Sequence, residues 1–214
     1  MQHLSSTGKK AVKINRGDPD GGEPEPHVLL LTGAPGIGKT TVIRRVAAQL
    51  GAKRLRGFFT EELRERGERQ GFWLVSFEGE RRVIASVGFA KRHRVGRYGV
   101  DVAAVDEATP LLAPNGAAQV YLVDEIGKME CLSASFVAAM RMLVAGQTPV
   151  VATVALRGRD FIADVKRMPE CVLWEVTRAN RDVLPSRVAA WLARREAFTR
   201  RDAARANDRG TAKP

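Results

Sequence analysis

Residues Gly33-Ala34-Pro35-Gly36-Ile37-Gly38-Lys39-Thr40 read G-x-x-x-x-G-K-T, and no other stretch limits the possible fold so tightly. The run His27-Val28-Leu29-Leu30-Leu31 before it suits a strand buried on both faces of a parallel sheet. Beyond it, Val42, Ile43, Val46, Ala47 and Leu50 recur at helical spacing, and Gly51 is placed to stop the helix. Strand, glycine turn and helix form the context in which this pattern becomes a phosphate-binding loop. Glycines permit a tight turn whose N–H groups converge on phosphate oxygens, and the helix N-terminus adds partial positive charge. Lys39 then supplies a point charge for the β- and γ-phosphates, and Thr40 a hydroxyl for Mg²⁺.

The second informative run is Val120-Tyr121-Leu122-Val123-Asp124-Glu125. A buried strand ending in an acid sets a carboxylate at the C-terminal edge of the sheet, where open α/β folds bind ligands. Asp124 is placed to hold Mg²⁺ through its water shell. Glu125, one residue on, is placed to take a proton from an attacking water. Alone the pattern is weak; downstream of a phosphate loop it gains force.

Between these runs the texture changes. Arg56 to Leu63, Gly71 to Phe77 and Arg82 to Val87 are β-rich, with short polar links such as Arg64 to Gln70. This predicts an antiparallel meander inserted after the first β–α unit, where it could overhang the phosphates. Glu61-Glu62 then reads either as a pair approaching the metal or as ordinary strand charges. The basic, glycine-flanked stretch Lys91 to Asp101 reads as a charge clamp or a solvated loop, with Arg97 and Tyr98 its most interesting members.

Further on, Ala103 to Leu112 predicts a short helix, followed by a loop at Pro114, Asn115 and Gly116. Ser133 or Ser135 caps a helix whose apolar stripe is Phe136, Val137, Met140, Leu143 and Val144. Pro149 to Val154 predicts another buried strand and Cys171 to Val176 the last strand, and Phe161 to Arg167 and Leu184 to Arg195 predict helices. Arg157-Gly158-Arg159 follows one of these strands, where Arg159 would sense the γ-phosphate. Arg178 and Asn180 follow the last strand and are candidates for the base, with Asn180 or Asp182 equally a helix cap.

At 214 residues the chain predicts one domain, 27–192, between a disordered N-terminal tail, 1–26, and a basic C-terminal tail, 193–214. No apolar run approaches the roughly 20 residues of a membrane span, and no secretory signal is evident, so a cytoplasmic monomer is expected. Cys131 and Cys171 match no metal or redox spacing and read as reduced, buried thiols. His3, His27 and His93 are scattered, so no zinc site is expected. A net charge of +11 would suit a nucleic-acid partner, but no stacking-aromatic signature or helix-turn-helix turns charge into recognition.

Several runs together resemble the THEP1 family of nucleoside-triphosphatases. They are Leu31 to Thr41, Gly57-Phe58-Phe59-Thr60-Glu61-Glu62-Leu63-Arg64, Val95 to Asp101, Val123-Asp124-Glu125-Ile126-Gly127-Lys128-Met129-Glu130 and Val176 to Arg181. The likeness spans about 27–192, with the Asp124 to Glu130 and Gly57 to Glu62 runs the most discriminating. It implies a P-loop α/β fold, a mainly parallel sheet flanked by helices, and Mg²⁺-dependent hydrolysis of ATP, GTP, CTP and UTP with broad base tolerance. It also implies that the loop from Gly33 to Thr41 and the segment Val120 to Gly127 adjoin the nucleotide. Lys39 and Glu125 are then the catalytic residues, Thr40 and Asp124 the metal positions, and Arg159, Lys128 or Arg178 the groups that offset phosphate charge. A nucleoside or nucleotide kinase, and a nucleotide-gated nucleic-acid switch, are the alternatives that the same residues leave open.

Overall fold

The computed structural model describes residues 26–51, 55–90, 92–114 and 118–195. The two tails, Lys91, and Asn115 and Gly116 lie outside the described residues, apart from the tails' inner ends at Pro26 and 193–195.

One sheet of nine strands organises the chain. Its centre is parallel: β2 (Leu55–Glu65), β7 (Val120–Ile126), β8 (Val150–Val154), β1 (Val28–Thr32) and β9 (Cys171–Glu175), in that spatial order. Its other half is antiparallel: β3 (Glu68–Ser76), β4 (Arg81–Ser86), β6 (Tyr98–Val100) and β5 (Arg94–Val95) continue outward from β2. β1 and β8 are buried along their whole length, and β7 as far as Asp124, because both of their faces are covered. Leu29 and Leu31 of β1 pack with Val42, Ile43 and Val46 of α1 (Lys39–Leu50) and with Val188 and Trp191 of the helix at 184–195. Val28 and Leu30 face the other way, into a core with Phe136 and Met140 of a second long helix, Ala134–Ala145.

The expected helix at Ala103 to Leu112 is broken in two. A five-residue helix, α2 (Val102–Asp106), is capped by Asp101, and a 3₁₀ turn at Thr109–Leu112 follows it. The helix at Ala134–Ala145 is α3; Ser133 rather than Ser135 caps it, accepting from the Phe136 amide at 2.8 Å. A short α4 (Phe161–Asp164) and the helix at 184–195, α5, complete the layers. Gly51 ends α1 as expected, its amide donating to the Ala47 carbonyl at 3.0 Å.

The meander extends the sheet sideways from β2, and the β2–β3 hairpin runs on past the level of Asp124, where Glu61 pairs with Arg44 of α1. β2 is one long strand that pairs with β7 at its start and with β3 along its later length. Arg64 to Gln70 is strand except for a two-residue turn at Arg66 and Gly67, whose φ values of 49° and 83° make the type I′ hairpin geometry. Polarity concealed the strand there, because both of its faces meet solvent.

Of the two readings of the basic stretch in the nineties, the exposed edge position favours the solvated one. The stretch forms the β5–β6 hairpin at the outer edge of the sheet, roughly 30 Å from β1 by strand spacing, and no clamp on the phosphates follows. Arg97 lies over the Tyr98 ring and donates to the Arg69 carbonyl, and Tyr98 packs edge-on against Phe72 at 5.2 Å.

Candidate active site

β8 lies between β1, which leads into the phosphate loop, and β7, which carries the acids. Three elements around β7 therefore reach one carboxylate. Thr40 of α1 donates to Asp124 Oδ2 at 2.6 Å, Thr60 of β2 to the same oxygen at 3.3 Å, and Thr153 of β8 to Oδ1 at 2.5 Å. Asp124 is 1% exposed, and these hydroxyls are what make its burial tolerable. The Asp124–Glu125 peptide is cis.

Lys39 is nearly buried at the first position of α1, where its ammonium donates to the Gly33 carbonyl at 3.3 Å and lies 3.5 Å from Glu125 Oε2. Burial pushes the Glu125 carboxyl above its ordinary range, and the Asp124 charge adds to this while the Lys39 charge opposes it. Gly38 precedes α1 at φ 113°, a left-handed conformation that glycine adopts without penalty, and no side chain caps the helix. The first amides of α1 are thus left for a ligand. Ala34, Pro35, Gly36 and Thr41 form the exposed part of this loop, with Gly33 buried and Ile37 half-buried.

The other expected site residues divide. Val120, Tyr121 and Leu122 are core residues at the far end of β7, Val120 roughly 13 Å from Asp124 by strand rise, so they support the site without lining it. Val123 and Ile126 are also fully buried, and Gly127 closes the segment. Asn180 is spent on the turn after β9: its Oδ1 accepts from the Thr177 amide and its Nδ2 donates to the Glu175 carbonyl, both at 2.8 Å. Arg178 is exposed on the same turn. Its neighbour Arg181 is the one that reaches the phosphate loop, with Nη1 3.5 Å from the Ile37 carbonyl. Arg159 and Lys128 lie on a separate cleft that no residue of the loop lines. Glu61 pairs with Arg44 and Arg81, and Glu62 with Arg64 and Arg69, which makes both of them strand charges.

Sequence reasoning missed four residues. Thr60 and Thr153 needed the strand register to bring them beside Asp124. Lys166 fastens the segment after β8, donating to the Ala155 carbonyl at 2.5 Å and the Leu156 carbonyl at 3.1 Å. Glu130 is 4% exposed, and burial pushes its carboxyl up to about 8. Its place five residues after Glu125 was visible in the sequence; its burial was not.

The donors around Asp124 are all oxygen, the hard chemistry that Mg²⁺ prefers. Among the described residues no group of three or more His, Cys, Asp or Glu could hold a metal alone. Thr40 and Asp124 would therefore share a divalent ion with ligand phosphates, which is how Mg²⁺ is usually held in phosphate sites. Cys131 and Cys171 are free, half-buried thiols pushed up to about 12 by burial. No helix among the described residues is long and apolar enough to cross a membrane.

A family model described as NTPase matches residues 28–189. The nucleoside-triphosphatase THEP1 of Aquifex aeolicus is 37% identical over 177 residues, covering 78% of this chain and 99% of that relative. The crystal structure of THEP1 from Aquifex aeolicus superposes with a TM-score of 0.71 at 36% identity, over 77% of this chain and 98% of that one. The solution structure of a human cancer-related nucleoside triphosphatase gives a TM-score of 0.67 at 30% identity, over 79% and 97%.

Proposed function

The chain belongs to the NTPase family, and from that premise we propose that it is a Mg²⁺-dependent nucleoside-triphosphatase releasing phosphate from ATP, GTP, CTP and UTP. One observation carries the reading. Asp124 is gripped by the hydroxyl that follows the loop lysine, while the adjacent Glu125 pairs with that lysine.

In this reading the loop amides and Lys39 hold the β- and γ-phosphates at the N-terminus of α1. Thr40 and Asp124 would hold Mg²⁺, which when bound offsets charge on the phosphate oxygens. Glu125 accepts the proton of a water that attacks the γ-phosphorus; the bond to the bridging oxygen breaks and the diphosphate leaves with that electron pair. A carboxyl raised by burial is a better base near neutral pH than an exposed one. Arg181, beside the loop, adds positive charge on the phosphate side. Broad base tolerance is supported by Asn180, one of the two residues expected to contact the base, being committed to its own turn.

The test is phosphate release from the four triphosphates with and without Mg²⁺, with products separated by chromatography. Diphosphate and inorganic phosphate from all four, dependent on Mg²⁺, is the expected result. Phosphorylated nucleoside or nucleotide in place of free phosphate would identify a kinase.

A further inference from the structure

A cleft of about 820 Å³ opens on the α3 side of the sheet, between the segment after β7 and the segment after β8. Lys128, Arg157 and Arg159 stand on it, and Leu132, Val137 and Ile162 give it an apolar wall. Its charges are unevenly matched. Arg141 lies 3.8 Å from Asp164 and over the Phe161 ring, and Asp164 also takes Arg167 at 2.9 Å. Lys128, Arg157 and Arg159 are exposed and make no ion pair among the described residues, so Asp160 is the cleft's one acid without a partner there. Unpaired cations around one concave, partly apolar volume recognise a compact anion on an apolar body.

The cleft is fastened to the hydrolytic end of the sheet. Lys128 is three residues beyond Glu125. The Ala155 amide donates to the Ile126 carbonyl at 3.1 Å, and Lys166 holds the carbonyls of Ala155 and Leu156, immediately before Arg157.

We propose that this cleft is a second nucleotide site, which takes a nucleoside monophosphate. Its phosphate meets Lys128, Arg157 and Arg159, and its sugar and base lie against Leu132, Val137 and Ile162. The volume lies in the range of small-molecule sites. Three cations on one cleft suit a single dianion better than the spaced carboxylates of an acidic peptide. The inference goes beyond the hydrolase reading and rests on it only for what fills the phosphate loop.

The test is calorimetric titration of AMP, GMP, CMP and UMP into the full chain, with the loop saturated by Mg²⁺ and the non-hydrolysable analogue AMP-PNP. At least one monophosphate is expected to bind once per chain under saturation. Arg157→Glu and Leu132→Glu, both at exposed positions, are each expected to weaken that binding roughly tenfold or more and to leave AMP-PNP affinity unchanged. The proposal is overturned if no monophosphate binds once the loop is full, or if both variants bind it as the wild type does. If AMP-PNP fails to bind the wild type, the loop reading is at fault; the monophosphate titration with the same two variants, run without analogue, then decides the cleft.

Discussion

The Lys39 ammonium lies 3.5 Å from Glu125 Oε2, so the cation proposed to meet phosphate and the carboxylate proposed to accept a proton are partners. Lys39 tunes its partner, because its charge holds down a carboxyl that burial and Asp124 push up. Lys39→Met is therefore expected to act twice. Hydrolysis falls by roughly a thousandfold or more, since phosphoryl transfer depends mainly on positioning and charge. The residual activity has its acidic limb moved to higher pH, because Glu125 without its cation ionises later. A pH profile of kcat for both proteins checks this; an unmoved limb would deny that the pair is coupled.

The hydroxyl grip on Asp124 predicts a graded pair of variants. Thr153 is fully buried and donates at 2.5 Å, while Thr60 donates at 3.3 Å. Thr153→Val keeps the shape but leaves a buried carboxylate oxygen short of a donor, at a cost of about 1–3 kcal/mol in stability. Thr60→Val should cost less. Urea unfolding gives the stabilities, and Mg²⁺ titrations of activity show whether Asp124 has moved.

Glu130 predicts a pH dependence with a definite sign. Its carboxyl is raised from an ordinary value of 4.5 to about 8, so between those values the folded chain keeps a proton that the unfolded chain has released. Its contribution to stability therefore falls as pH rises from 4.5 to about 8. Gln cannot titrate. The Tm of the wild type, relative to Glu130→Gln, should decline across that window and level off above it, and a parallel course of the two curves would contradict the assignment.

Gly127 is hemmed in by both glutamates. A Cβ there would lie 2.7 Å from Glu130 Oε2, 2.9 Å from Glu125 Cγ and 3.0 Å from Glu125 Oε1. Gly127→Ala must displace side-chain atoms instead of backbone, so the fold survives and the carboxylate of Glu125, the proposed base, moves. A fall in kcat of roughly tenfold or more, with little change in Tm, is expected. Equal losses in both would mean that the site cannot absorb the methyl.

What could be read from the sequence follows the distinction between local and long-range structure. The phosphate loop, its helix with the stop at Gly51, and the apolar strand ending at Asp124 are local patterns, and each lies where its periodicity placed it. Thr60 and Thr153 meet Asp124 only because β7 lies between β2 and β8, which no local pattern specifies. The hairpin at Arg66 and Gly67 was hidden because its solvated strands carry no apolar alternation. The basic stretch at Arg94 to Tyr98 reads as a clamp or a solvated loop, and only the sheet order, which puts it at the outer edge, separates the two. Arg178 and Arg181 are equivalent as composition, and only the turn built by Asn180 turns one of them toward the loop.

The most direct test of the account is Glu125→Gln, examined for ATP binding and single-turnover hydrolysis in the presence of Mg²⁺. The substitution keeps the side chain's size and removes its ability to take a proton. Binding within a few-fold of wild type, with the hydrolytic step slowed by roughly two orders of magnitude or more, is the predicted result. Hydrolysis near the wild-type rate with binding intact would show that Glu125 is not the base.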